Sequence, residues 1–440
     1  MEFIPALKPT PEIPLLQGWR LDFIKSLKDN ASPIHLMTLF PRIFREVQNS
    51  VKHSKVINLS TSRDSFGSAT GVPVESYTWE LFHCIPRSVL QSVVLGTVAY
   101  DNSRPGADAL KGYFSNGSGI YVIGVSVADR SGKFLNRKEY RVLVSNLTTY
   151  IKEASTSLHN KQQPPSVLIQ KTDRMYGEPA DPSKPRFTPD AGGLDNARRL
   201  LRSVKERYDA LKSLDPSGDV YSIQSPLYVG CSKSVSDRLK DYTIHQNKGS
   251  LGTANKMLGL LVSLMGYQGL KPKLHFITAI RVWEDGQLSQ AEMLVTLLAS
   301  AYITQEGFNV TAAGQTKDGG FSGEGKEERM LESKQYVLGS TEHFTNNIEH
   351  SAADCSKLMQ ASDLQQEFEG IGDIPLDDWE QSETAKRQAE TELKERLQTL
   401  DLKTEIAKAR AELAELTKQT EKLTEVKEVL QCVERNGDVN

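Results

Sequence analysis

Cysteine is scarce in this chain, and its spacing excludes more than its count. The four cysteines, Cys84, Cys231, Cys355 and Cys432, lie far apart in 440 residues, and no C-x-x-C occurs. Neither a zinc cluster nor a disulfide framework is suggested, and a reducing intracellular compartment, nucleus or cytoplasm, fits best. Long apolar runs are also missing. The longest, Met257–Gly266, is about half of the roughly 20 residues that span a bilayer, so no membrane partner is expected. The first residues, Met1-Glu2-Phe3-Ile4-Pro5, lack a basic segment followed by an apolar one, which is not a signal-peptide pattern. No charge sign dominates the whole chain, whose formal net charge is −3.

What is present points to a multidomain α/β protein. At 440 residues, 38% hydrophobic and 25% charged, the chain is long enough for two or three domains. The charge is unevenly spread. Residues 1–217 carry 29 Lys/Arg against 21 Asp/Glu, residues 218–315 carry 8 against 7, and residues 316–440 carry 16 against 28. The front is therefore the end better suited to a polyanion.

Residues 1–160 read as an N-terminal mixed α/β domain. Ile43–Val51 has helical spacing, Gln91–Tyr100 and Ser118–Val127 are Val-, Ile- and Tyr-rich and read as strands, and Tyr140–Ala154 reads as a strand running into a helix. Residues 161–192 hold six prolines and read as a linker. Residues 193–217 follow as a basic amphipathic helix, either a solvated face over a core stripe or a contact for a phosphate backbone. Residues 316–376 read as a second, flexible linker. In residues 377–435 a coiled-coil helix is expected. Its seam within 383–432 runs Leu402, Ile406, Ala409, Leu413, Leu416, Thr420 and Leu423 at alternating steps of four and three. Homodimerisation is its functional reading, and a solvated or intramolecularly packed helix is the alternative.

The segment 218–315 carries the chemistry. Tyr221-Ser222-Ile223 and Leu227-Tyr228-Val229 alternate around Gln224-Ser225-Pro226 and predict a β-hairpin. Ser234 reads as the N-cap of a helix that sets Arg238 and Tyr242 one turn apart. Thr253–Tyr267 is an apolar helix, Leu274–Trp283 a third strand, and Gln290–Ile303 a second apolar helix with Glu292 near its start. Phe308-Asn309-Val310-Thr311 closes the unit.

This order resembles the GIY-YIG nuclease superfamily over roughly a hundred residues. Tyr228-Val229-Gly230 is similar to the YIG half, Arg238 to the helix arginine, Tyr242 to the following Tyr or His, and Glu292 to the metal-binding glutamate. Gly307-Phe308-Asn309 resembles the closing stretch. The first half departs from the pattern, because Asp219-Val220-Tyr221 lacks the glycine and the two tyrosines are close together. A second string, Gly119-Ile120-Tyr121-Val122-Ile123-Gly124, looks like the signature compressed into six residues, but with one tyrosine and no turn it reads as a plain buried strand.

The resemblance implies a small antiparallel sheet flanked by helices and metal-dependent hydrolysis of phosphodiester bonds in nucleic acid, DNA favoured. It implies Tyr221 as base, Tyr228 orienting water or phosphate, Arg238 on the phosphate, and Glu292 on the metal. Lys233, Tyr242, His245 and Asn309 are the further substrate-binding candidates. One Mg²⁺ or Mn²⁺ ion on a single carboxylate suffices when water and phosphate oxygens complete its shell. A tyrosine is a poor base at its ordinary pKa of about 10, so the phenolate has to be favoured by the cation and the arginine. Read without the resemblance, the tyrosines are also ordinary strand aromatics, Arg238 a solvated charge, and Glu292 an acid suited to a helix N-terminus. The alternative function is an inactive nuclease fold that binds nucleic acid or acts as a scaffold, dimerised through its tail.

Overall fold

The computed structural model describes Leu16 and residues 18–51, 76–104, 110, 113, 116–159, 165–179, 181–242, 255–284, 286–314, 325–339 and 341–371. The expected coiled coil at 377–435 and His245 lie outside these residues. The chain divides into two compact units, one of residues 1–31 and 36–344, the other of 32–35 and 345–440.

The elements run α1 (Trp19–Lys28), α2 (Pro33–Met37), α3 (Phe40–Val51), α4 (Ser76–His83), α5 (Arg87–Leu95), α6 (Val98–Asp101), β1 (Gly119–Val127), α7 (Arg137–His159), α8 (Val167–Arg174) and α9 (Ala191–Leu214). They continue with β2 (Leu227–Ser232), α10 (Val235–Lys240), α11 (Lys256–Tyr267), β3 (Pro272–Arg281), α12 (Gln287–Leu298), α13 (Lys326–Gly339) and α14 (Glu342–Ile371). The first unit is thus mixed α/β around one small antiparallel sheet, with strand order β2-β1-β3. In the described part of the second unit, the amide of Ile34 donates to the Ser351 hydroxyl at 3.3 Å.

β1 is the centre of the sheet. All nine of its residues are buried, as the near-continuous run Ile120, Tyr121, Val122, Ile123 and Val125 allows only for a strand covered on both faces. It pairs with β2 on one side and β3 on the other. The sheet therefore draws its central strand from the segment read as a separate N-terminal domain, and residues 128–226 are an insertion between its first two strands.

The insertion is helical and packed. α7 and α9 lie side by side, and α11 packs on α7, α8 and α9. The stretch 161–192, expected to be a linker, contains α8 and buries Ile169 and Phe187. Its Asp173 is buried too. It accepts from the Tyr150 hydroxyl at 2.8 Å and from the Arg186 amide at 2.8 Å. Six prolines limit backbone freedom but do not prevent burial where apolar residues alternate with them. Likewise 316–376 is not a bare linker among the described residues. It holds α13 and α14, and the Arg281 guanidinium of β3 donates to Ser333 at 3.2 Å and lies 4.9 Å from the Tyr336 ring.

Two further expectations are corrected. Gln91–Tyr100, read as a strand, forms the end of α5 and α6. Val89, Leu90, Val93 and Val94 are buried at helical spacing, and Gly96 ends the helix in the left-handed conformation at φ 74. Tyr140–Ala154 is helical throughout. Among the described residues no helix is long and apolar enough to cross a membrane.

The core contains titratable groups that set a pH dependence. His83 is buried with Nδ1 2.8 Å from the Trp79 carbonyl, and His275 of β3 is buried with Nε2 2.8 Å from the Ser126 hydroxyl. Burial holds both imidazoles down to about 4. Each binds a proton more readily unfolded, so each contributes stability that is lost as pH falls from about 6.5 towards 4. Asp173 acts oppositely. Burial pushes its carboxyl up to about 6, so its contribution grows as pH falls through that value. Two histidines outweigh one aspartate, and unfolding by urea at pH 7 and pH 5 is expected to show a net loss of about 2 kcal/mol. A stability that rises from pH 7 to pH 5 contradicts this balance.

Candidate functional site

The tyrosine that meets Tyr228 is Tyr121, not Tyr221. The β1–β2 register pairs Tyr121 with Gly230 and Ile123 with Tyr228. Side chains two apart on a strand share a face, so Tyr121 and Tyr228 are diagonal neighbours on one face. Their ring centroids are 6.2 Å apart. Gly230 makes the arrangement possible: a Cβ there would stand 2.4 Å from the Tyr121 hydroxyl oxygen and 2.5 Å from Cζ.

α10 supplies the rest of the cluster. Ser234 is its N-cap residue, but the serine hydroxyl donates to the Asp237 carboxylate at 2.7 Å instead of accepting from the helix backbone. Tyr242, just past the helix, is fully buried. Its ring lies 5.9 Å from Tyr121 and 5.8 Å from Tyr228, and its hydroxyl is 3.2 Å from that of Tyr121. The Arg238 guanidinium is 5.6 Å from the Tyr242 ring centroid and pairs with Asp241 at 2.9 Å while keeping 37% exposure. Three phenols and one arginine thus meet where β1, β2 and α10 come together.

Burial dominates the acidity of the phenols. It raises Tyr121, Tyr228 and Tyr242 above the ordinary value, and the Arg238 charge lowers Tyr121 and Tyr228 only in part. The phenolate expected from a neighbouring arginine is therefore not the resting form. At neutral pH these hydroxyls are neutral donors and acceptors.

Glu292 enters from α12. Its Oε2 accepts from the Gly314 amide at 3.1 Å, and its charge is felt at Tyr228 and at Tyr302. The carboxylate is half-buried. Among the described residues no group of three or more His, Cys, Asp or Glu side chains could hold a metal ion. The donor set that remains is one oriented carboxylate, Glu292. It is a hard-oxygen set that suits Mg²⁺ or Mn²⁺ with most of its shell from water and substrate.

Asn309 is a brace. Its Oδ1 accepts from the Val229 amide at 3.0 Å and its Nδ2 donates to the Val229 carbonyl at 2.8 Å, so the side chain acts as one more residue of sheet on the free edge of β2. The Phe308 amide adds a bond to the Leu227 carbonyl at 3.1 Å. The turn before it is held by Glu306, whose Oε2 accepts from Arg20 at 2.9 Å and from Arg207 at 2.8 Å. An N-terminal helix and an insertion helix thereby fix the segment that fixes the Tyr228 strand.

The predicted residues thus separate into two groups. Tyr228, Arg238 and Tyr242 are brought together, and Glu292 reaches them through its field at Tyr228. Lys233 is exposed between β2 and α10. Tyr221 is elsewhere and is not in a strand: the Arg130 guanidinium, itself paired with Glu139 at 2.8 Å, lies 4.1 Å from its ring. The predicted Tyr221–Tyr228 hairpin does not form, because Ser222 pairs with Phe134 and Leu135 and β2 takes β1 as its partner. Tyr121 was not among the expected site residues, yet it is the tyrosine that joins Tyr228 and Tyr242. The expected strand Ser118–Val127 contains β1, which opens on Gly119 and is buried along its whole length. No family model, no curated protein and no solved structure matches the chain.

Proposed function

We propose that the chain is a metal-dependent endonuclease of the GIY-YIG type, acting on phosphodiester bonds in nucleic acid, with DNA favoured. Here Tyr121, not Tyr221, is the first tyrosine of the pair, and residues 128–226 interrupt the hairpin that carries Tyr121 and Tyr228. The observation that carries it is the convergence of Tyr121, Tyr228, Tyr242 and Arg238 on one face of the β1–β2 pair, with Glu292 close enough to act on Tyr228.

Each residue has a task its chemistry suits. Arg238, half-exposed, offers a planar pair of donors to phosphate oxygens. Glu292, oriented by the Gly314 amide, is the residue that would hold the cation. A bound Mg²⁺ or Mn²⁺ supplies charge neutralisation at the phosphoryl oxygens and acidifies a bound water. Tyr121 and Tyr228, neutral at rest, orient the attacking water and the phosphate through their hydroxyls. Either becomes a competent base only when added positive charge lowers its pKa.

The burial of Tyr121 and Tyr242 supports a second reading, in which the fold binds nucleic acid without cutting it. A panel of branched, single-stranded and duplex DNA in Mg²⁺ and in Mn²⁺ separates the two. The nuclease reading predicts cleavage by the wild type and a loss of roughly a hundredfold in Arg238→Ala. Binding without cleavage on every substrate leaves the second reading. Localisation in nucleus or cytoplasm and a dimer through 383–432 belong to the same proposal.

A further inference from the structure

We infer that the helical insertion, residues 128–226, is a docking surface for the nucleic-acid backbone, separate from the tyrosine cluster. Its charge is arranged for a polyanion. The segment carries 17 Lys/Arg against 12 Asp/Glu, and the difference lies in which charges are already used. Its acids are largely committed within the fold. Asp173 is buried under Tyr150, Asp190 caps α9 through the Gly193 amide, and Asp215 accepts from the amides of Gly218 and Val220. Of the exposed acids, Asp195, Asp209 and Asp219 are paired with Arg199, Lys212 and Lys138, whereas Asp129 and Glu206 form no ion pair among the described residues.

The cations are not so committed. Arg141 and Lys152 on α7, Lys171 on α8, and Arg198 and Lys205 on α9 are exposed, and none of the five has a carboxylate partner among the described residues. The exposed positions of α7 hold no carboxylate at all, only Lys138, Arg141, Val142, Lys152, His159 and serine or threonine hydroxyls. On α9, Arg198 and Lys205 are two turns apart on one flank. Unpaired cations interspersed with hydroxyl donors suit phosphates spaced along a strand, which are read by charge and not by base. An acidic protein or an anionic lipid surface would also be attracted. Nucleic acid is favoured because the same compact unit holds the proposed phosphodiester centre, and to that extent the inference rests on the nuclease reading.

The test uses the full chain in EDTA, where binding is read without cleavage. Fluorescence anisotropy with a fluorescein-labelled DNA duplex is followed across a salt series. The combined variant Arg141→Gln, Lys152→Gln, Lys171→Gln, Arg198→Gln and Lys205→Gln is compared with wild type. A counterpart exchanging Arg for Lys and Lys for Arg at the same five positions serves as the charge-preserving control. The neutral variant is expected to lose at least roughly tenfold in affinity and to show a log K against log salt slope shallower by about 3 to 4, with the control unchanged. Equal affinity and slope in wild type and neutral variant overturn the inference. So does wild type that ignores DNA but binds phosphatidylserine vesicles, or an affinity loss shared by the charge-preserving control. Cleavage in Mg²⁺ is scored separately: a wild type that binds with the expected slope and never cuts overturns the nuclease reading and leaves the surface standing.

Discussion

Tyr121→Phe is expected to lower cleavage by about a hundredfold or more, whereas Tyr221→Phe leaves it within about twofold. The two substitutions remove the same atom from different places. At Tyr121 that hydroxyl lies 3.2 Å from the Tyr242 hydroxyl and in the field of Arg238. At Tyr221 the ring stacks under Arg130, outside both strands of the cluster although only six residues before β2 begins. The phenylalanine ring keeps the packing of a residue that is 1% exposed, so Tyr121→Phe should fold and bind substrate with little change in KM. Single-turnover cleavage by both variants in Mg²⁺ is the measurement. If Tyr221→Phe is the inactive one, the β1 tyrosine is ordinary core.

Gly230→Ala is expected to destabilise the chain by about 3 kcal/mol and to abolish cleavage. The added methyl would fall 2.4 Å from the Tyr121 hydroxyl oxygen, inside any allowed contact. Relief requires the ring to move, but Tyr121 is boxed in by Tyr228 and Tyr242 at 6.2 and 5.9 Å between centroids. The backbone of β2 cannot retreat easily either, since Asn309 holds Val229 by both its amide and its carbonyl. Urea unfolding and the cleavage assay read the two effects. A double variant, Gly230→Ala with Tyr121→Ala, should regain part of the lost stability, because the clash disappears with the ring, while remaining inactive. Wild-type stability in Gly230→Ala contradicts the register described here.

Much of the fold was legible because it is written in local periodicity. β1 and β3, the helices α9, α11 and α12, and the polar start of α10 all follow from apolar spacing and turn residues. The partner of β2 does not. Strand pairing is non-local, and sequence proximity favours a hairpin between neighbours. Here the true partner lies before residue 128, beyond an insertion with its own helices and its own share of the core. The same insertion made a packed segment look like a linker, since its prolines are conspicuous and its anchors, Ile169 and Phe187, are few. The valines of α5 were read for composition when their spacing, at 89, 93 and 94, carried the helix.

The residues of the cluster were legible one at a time. Arg238 and Glu292 needed only their places on helices. Tyr121 needed a strand pairing, which sets it directly opposite Gly230 across the ladder. Gly230 gives the physical link: a glycine facing a buried tyrosine across a ladder marks the strand that the tyrosine must come from.

If these residues form a centre for metal-dependent phosphodiester hydrolysis, removing the Glu292 charge must stop cleavage without weakening DNA binding. Wild type and Glu292→Gln are compared in single-turnover cleavage of branched and duplex DNA, in Mg²⁺ and in EDTA. The account predicts cleavage by wild type in Mg²⁺, none in EDTA, and a loss of about a hundredfold or more in Glu292→Gln with DNA affinity in EDTA unchanged. Wild type and Glu292→Gln that cut equally well, or a wild type silent on every substrate, would contradict it.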